Sequence, residues 1–247
     1  MIQKYRHISE IAVLLALLFA SASCSDNSLS SGDESNLTEN QEIAVSYFKE
    51  IALGFEHGNS SETTRKWNTD LKIYVGGEEN QVLLEELDDI IADLNSLILR
   101  DNIQLNVTSD SSSSNFYIFL GPGQDYEQLF SPAEGLTDSN WGLFYVYWNS
   151  NQYLNRGAMY VDTNRPQPLN QRHLLREELT QSLGMAQDSP RFTDSIFQIS
   201  YDAGVATEYS LYDEAVIQLL YHPEMRTGLN ETEVDPILRR IVGDVIE

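Results

Sequence analysis

His173-Leu174-Leu175-Arg176-Glu177-Glu178-Leu179-Thr180-Gln181-Ser182-Leu183-Gly184-Met185-Ala186-Gln187-Asp188 reads as the end of a helix followed by the turn that stops it. The helix is expected over about residues 170–183, with Gly184 as its carboxyl cap, because glycine adopts the left-handed backbone that ends helices. His173, Glu177 and Gln181 recur at i, i+4 and i+8 and so share one stripe of that helix. In the plainest reading these polar groups bond their neighbours, with Arg172 and Arg176 as the nearest cations.

The same spacing has a second reading. Zinc peptidases of the metzincin type project two histidines at i and i+4 from one helix face, with a glutamate beside the first to activate zinc-bound water. A glycine then breaks the helix, and a third ligand follows three residues later. Glu177, Glu178, Gln181, Gly184 and Gln187 occupy those five positions here. On this template Glu177, Gln181 and Gln187 would be the ligands and Glu178 the general base. Neutral amide oxygens are feeble zinc donors beside imidazole, thiolate or carboxylate, so one charged ligand and two amides make a poor zinc site. An oxygen-rich set, with Asp188 or Glu178 joining, would suit calcium better, but no calcium-loop pattern is present. No cofactor is therefore expected; zinc or calcium would be the one if any were bound.

Continuing outward, Ser195-Ile196-Phe197, then Tyr212-Asp213, lead to Leu219-Leu220-Tyr221-His222-Pro223-Glu224-Met225-Arg226-Thr227-Gly228-Leu229. Together with Glu177 to Gly184 and Asp188, these residues resemble the domain of unknown function 2927 family of bacterial exported proteins. The resemblance is specific over residues 173–229 and implies a fold similar to zincin-like peptidases, without an established activity. Two positions depart from the pattern: the cysteine many relatives carry at the start of the helix is absent, and Leu229 stands where methionine is common. His173, Asp188 and His222, the last from a later helix end, are the candidate cleft residues.

Toward the amino terminus, Thr38 and Gln41 form a capping box ahead of a helix with Ile43, Tyr47, Phe48, Ile51, Ala52 and Phe55 at helical spacing. Leu71, Ile73 and Val75 alternate as a half-buried strand. A long helix follows, with Val82, Leu83, Leu87, Ile90, Ile91, Leu94, Leu97 and Ile98 as its buried stripe and Glu85, Glu86, Asp89 and Asp93 toward water. Strands around Ile103–Val107 and Phe116–Leu120 are separated by a short polar turn, which favours an antiparallel hairpin. Gly121-Pro122-Gly123 reads as a turn. Two further strands, Gly142–Trp148 and Gly157–Asp162, flank Asn149-Ser150-Asn151. Helices near 211–221 and 231–246 complete the chain. Trp141, Tyr145, Tyr147, Trp148 and Tyr160 fit sheet-face packing, with a stacking surface for sugar or peptide as the alternative.

Lys4 and Arg6 precede an apolar run from Ile11 to Ala22 and then Ser21-Ala22-Ser23-Cys24. The run is about half the ~20 residues that cross a bilayer, so residues 1–23 read as a signal peptide. Cys24 resembles the acylated cysteine of a bacterial lipobox, which implies a lipid anchor. Residues 24–40, rich in Ser, Asp, Asn and Glu, read as a solvated tether. The acidic residues soon after Cys24 resemble surface-export signals of bacterial lipoproteins.

The 247 residues carry 15 Lys+Arg against 38 Asp+Glu, a net charge of −23, which removes nucleic acid as a partner because phosphate backbones repel such a chain. A single cysteine rules out an intrachain disulfide framework and, once spent on the anchor, a cysteine nucleophile. No Gly-x-Ser-x-Gly elbow occurs.

The expected architecture is α+β and zincin-like: one domain over residues 41–247, a mixed sheet of four to five strands, helices on one face and a helical C-terminal half. Three functions are open at this point. The leading one is an exported, lipid-anchored and non-catalytic protein that binds an extracytoplasmic protein, peptide or glycan in the cleft beneath the fourth strand. The others are a metal-dependent peptidase with an unconventional ligand set and a structural component of the cell envelope, at the outer membrane or cell surface.

Overall fold

A computed structural model describes residues 37–55, 61–98, 101–200 and 205–247. The signal peptide, Cys24 and most of the tether lie outside the described residues. No helix among those described is long and apolar enough to cross a membrane.

Helix α1 (Glu39–Ala52) starts at the expected capping box, in which Thr38 and Gln41 satisfy each other's backbone donors. It therefore begins two residues inside the span read as tether. Its apolar stripe, Ala44, Tyr47, Phe48 and Ile51, is fully buried. Strand β1 (Lys66–Trp67) is followed by β2 (Leu71–Gly77), α2 (Gln81–Leu97) and β3 (Leu105–Val107). β2 and β3 are parallel neighbours, so β2-α2-β3 is a βαβ unit. Leu83, Leu87, Ile90 and Leu94 bury α2 as expected, but Val82 is exposed and Glu86 is buried, both reversing the sequence reading.

Strand β4 (Phe116–Leu120) does not form a hairpin with β3. Both strands pair parallel with β2, one on each side: Ile73 has Val107 on one flank and Phe116 on the other. Alternating burial is the same for either strand direction, so periodicity alone does not reveal pairing. Parallel neighbours ordinarily need a crossover of a dozen or more residues. Here β3 covers the first half of β2 and β4 the second, so residues 108–115 only step across it, held by Thr108 N to Ile73 O at 2.8 Å and Asn115 N to Lys72 O at 3.1 Å.

Helix α3 (Gly123–Leu129) begins where a simple turn was expected, with Pro122 in extended backbone as its N-cap. Strands β5 (Gly142–Trp148) and β6 (Tyr153–Val161) flank the expected Asn149-Ser150-Asn151 segment and pair antiparallel, β6 starting four residues before the expected Gly157, with an irregularity between Tyr147 and Trp148. One edge of β6 pairs parallel with β4 and β1 while β5 covers the other. The sheet thus has six strands, and only β5 runs antiparallel to its neighbour. Gly157 is required at the centre of β6, because a Cβ there would stand 2.5 Å from the Phe116 ring.

Helices α4 (Pro168–Gln181), α5 (Leu211–Leu220) and α6 (Glu231–Ile241) give the helical C-terminal half, with a short 3-10 turn over Val242–Asp244. Ile73, Ile118, Met159 and Val161 share a continuous core with α1, α2, α4, α5 and α6. The helices are not confined to that face. Tyr126 of α3 packs on Phe119, Leu143 and Tyr160, which point the other way in the pleat.

Candidate functional site

Helix α4 starts with Pro168 at its first turn, where a missing N–H costs nothing, and its end is fastened from outside. Trp67 Nε1 donates to Ser182 O at 3.0 Å and the Tyr221 hydroxyl donates to Leu183 O at 2.8 Å, so carbonyls left open by the helix end are paired in the core. Gly184 has φ +116°, and a Cβ there would meet Arg65 O at 2.0 Å. The capping glycine read from sequence therefore also allows close approach to the chain entering β1.

The polar side chains of α4 divide into three sets. The first faces α2. Arg176 donates through Nη1 to Asp93 at 2.7 Å and through Nη2 to Glu86 at 3.3 Å, and Arg172 Nε pairs with Glu86 as well. The guanidinium of Arg176 lies 4.8 Å from the Tyr209 ring, whose hydroxyl shares a 2.8 Å bond with Thr180. The cations beside Glu177 and Glu178 in sequence thus pair with carboxylates of another helix.

The second set is the expected stripe. His173 and Glu177 meet, Nε2 to Oε2, at 3.3 Å, and His173 Nδ1 lies 2.6 Å from the Ala206 carbonyl. Gln181 Nε2 donates to Asp188 Oδ1 at 2.5 Å. All of His173, Glu177 and Gln181 are buried. Burial pulls the His173 pKa down, but the hydrogen bond and charge of Glu177, the Ala206 carbonyl and Asp188 outweigh it, and the net shift is upward. Both ring nitrogens face acceptors, a geometry satisfied by the imidazolium.

Gln187, the third position of the ligand template, turns elsewhere. Its side-chain amide reaches Leu53 O at 3.5 Å and lines a groove of about 510 Å³ beside α1, with Glu42, Glu50 and Glu231 in its walls. His222 is also remote from the stripe in its bonding: it accepts from Glu224 N at 3.2 Å and lies 3.4 Å from Asp244. Among the described residues, no three His, Cys, Asp or Glu side chains converge as a metal-binding group. Two amides, one of them bonded to a carboxylate, and a glutamate already paired with histidine do not fit a zinc centre.

The third set is Glu178, buried against the edge strand. A Cβ on Gly142 would stand 2.5 Å from Glu178 Oε1 and 2.9 Å from Leu174 Cδ2, so the bare glycine is what lets β5 settle onto α4. Among the described residues β5 pairs only with β6, which leaves its outer edge without a strand partner.

The aromatic residues near β5 do not form one surface. Tyr145, Tyr147 and Tyr160 share a face of the sheet, and Tyr160 is buried. Trp148 faces the other way, stacked on Phe55 at 5.3 Å with the Arg65 guanidinium 4.6 Å from its ring.

Ser195 and Asp213, read from sequence only as carriers of the family resemblance, belong to a second buried network. Ser195 Oγ donates to Asp213 Oδ1 at 2.6 Å and shares a 2.8 Å bond with the Tyr47 hydroxyl, while Ile196 N and Ser210 N donate to Asp213 Oδ2. Burial raises the Asp213 pKa, against the pull of these donors. The signal was present in Ser210 and Asp213, a capping box whose carboxylate also ties down the loop before α5.

Residues 41–240 match the family model described as Protein of unknown function (DUF2927). No curated protein matches the chain. The match spans most of the 247 residues and takes in α1, the sheet, α4 and α5, so the chain belongs to the DUF2927 family.

Proposed function

We propose that this chain is an exported, lipid-anchored protein whose domain is a degenerate zincin-like fold, and that it binds an extended segment of an extracytoplasmic protein without catalysis. What carries the reading is the contrast around α4. The stripe that would hold a metal is bonded through His173–Glu177 and Gln181–Asp188, whereas β5, packed over α4, has no strand partner on its outer edge among the described residues. A parallel sheet with one antiparallel edge strand beside the Glu-Glu-x-x-Gln-x-x-Gly helix supports the zincin-like assignment. An open edge offers a row of backbone donors and acceptors, which an extended peptide satisfies by adding a strand.

Among the described residues no strand pairs with the outer edge of β5. Gly142-Leu143-Phe144-Tyr145-Val146-Tyr147-Trp148 contains no charge and no proline, and its one irregularity lies at the far end. The test is binding of seven-residue acetylated peptides of alternating valine and tyrosine to the full chain, followed by anisotropy. Matched peptides N-methylated on alternate backbone nitrogens should lose binding, and no peptide should be cleaved. Equal binding of methylated and unmethylated peptides would refute strand addition; turnover lost with Glu177→Ala would favour a metal peptidase instead.

A further inference from the structure

We propose that the face of the sheet turned away from α4 binds an acidic glycan, a sugar chain whose carboxylates meet Lys72 and Arg156 while its rings pack on the tyrosines between and beside them. The register brings these residues together from four strands. Tyr74 of β2 is paired with Tyr117 of β4, Tyr117 with Ala158 of β6, and Ala158 with Tyr145 of β5. Three tyrosines and one small residue thus form a row about 14 Å long, three strand spacings. Side chains two residues apart on a strand share a face, so Lys72, Arg156 and Tyr147 stand in the adjoining row. Toward the other end of this face α3 packs on Phe119, Leu143 and Tyr160. Here Lys72, Tyr147 and Arg156 are exposed, and Tyr74, Tyr117 and Tyr145 are half-buried.

The rings are held in place by the fold. The Tyr145 hydroxyl donates to Pro132 O at 2.6 Å, and its ring lies 5.2 Å from Phe130. Tyr117 reaches over bare Gly76, where a Cβ would stand 2.4 Å from its hydroxyl, and Tyr74 lies 5.8 Å from Tyr117 with the two rings only 15° apart. Prearranged rings spare a ligand the cost of ordering them. Strands β2, β4 and β6 have neighbours on both sides, so this face offers no backbone edge to a peptide. A ligand must be held through side chains, by C–H surfaces against electron-rich ring faces and by polar groups around them. A pyranose ring combines the two, an apolar C–H face with a rim of hydroxyls.

Charge selects the acidic kind. The six strands contain no Asp or Glu, although the chain carries 38. Among the described residues neither Lys72 nor Arg156 is paired with a carboxylate; the Arg156 guanidinium lies 4.5 Å from the Tyr147 ring centre. Arginine grips a carboxylate with two parallel hydrogen bonds, and charge-assisted bonds are the strong ones. The net charge of −23 repels an anion from afar, but at physiological salt screening sets in over about 8 Å, so the charges at contact decide.

The experiment is calorimetric titration of the full chain with three probes: the linear hexamer of galacturonic acid, the same hexamer with every carboxylate methyl-esterified, and hexaglutamate. The acidic hexamer should bind about 10-fold or more tighter than its ester, and hexaglutamate more weakly than either. Combining Lys72→Gln with Arg156→Gln, both at exposed side chains, should bring the acid-to-ester ratio to about one. Tyr74→Ala should weaken both sugars alike. If a variant does not fold, the ranking of the three probes on the unaltered chain decides alone. Equal affinities for acid and ester, or a ratio unmoved in the double variant, would overturn the role of the two cations. Hexaglutamate bound as tightly as the acidic hexamer would overturn the glycan in favour of an acidic peptide. No binding of the acidic hexamer would overturn the proposal and leave strand addition at β5 standing, since the two surfaces are separate.

Discussion

Replacing Gly184 with alanine tests how α4 is seated. Two costs follow from its geometry. At φ +116° any L side chain is strained, by about 1–2 kcal/mol as for other left-handed positions. The added Cβ would also stand 2.0 Å from Arg65 O, a backbone atom that cannot rotate away, so α4 or the chain entering β1 must shift, at about 1–3 kcal/mol. The sum, about 2–5 kcal/mol, is a large share of the roughly 5–15 kcal/mol that holds a domain folded. For a chain of this size it lowers Tm by about 5–20 °C. Gly135→Ala supplies the control, because Gly135 has φ +75° but nothing within 4 Å of its would-be Cβ. It carries the conformational cost alone, about 1–2 kcal/mol. Urea denaturation of both variants isolates the collision as their difference. If Gly184→Ala is no more damaging than Gly135→Ala, to within about 0.5 kcal/mol, the proposed seating of α4 against Arg65 is wrong.

The α2–α4 ion pairs make an asymmetric prediction: Arg176→Ala leaves Glu86 buried with one partner fewer and should cost about 3–5 kcal/mol by urea denaturation, whereas Arg172, at 41% exposure, should cost under about 1 kcal/mol. Ser195→Ala removes a partner from both Asp213 and Tyr47 in a buried setting, and should lower stability by about 1–3 kcal/mol with little change in the denaturant slope. The upward shift of His173 gives a pH dependence. The folded chain holds that proton more tightly than the unfolded chain, so the contribution is complete below the ordinary value of 6.5 and is lost as pH rises through the folded value. Urea midpoints measured from about pH 6 to about pH 9 should fall, and His173→Gln should flatten that fall; an unchanged slope in the variant would exclude His173 as its source.

The parts of this fold legible in sequence are those specified locally. The Thr38–Gln41 capping box places the start of α1, although the helix ends at Ala52, short of the Phe55 counted in its stripe, which instead bridges Ala186; the i, i+4, i+8 spacing puts His173, Glu177 and Gln181 on one buried face. What sequence hides is pairing at a distance. Glu86 sits beside Leu87 on a helix otherwise read as acidic and wet, and its burial depends on Arg176, 90 residues away. The Ile103–Val107 and Phe116–Leu120 segments alternate correctly, but direction and partner belong to β2, whose two edges receive them at staggered heights. Helix α3 is only seven residues long and opens on Pro-Gly, too short for a period to show. At the site, helical spacing does not specify the partners of the stripe: Asp188 joins Gln181, Ala206 joins His173, and Gln187 leaves for the α1 side. Nothing at Gly142 announces that Glu178 lies beneath it, because a glycine contact leaves no pattern in the chain.

In α4 the candidate ligand Glu177 pairs with His173 and Gln181 with Asp188, a bonding pattern that does not fit a zinc centre. The direct measurement is elemental analysis of the full chain purified from cells without chelator or added metal. Zinc far below one equivalent, unchanged in Glu177→Ala, is the predicted result. One equivalent of zinc that disappears in Glu177→Ala would contradict the account.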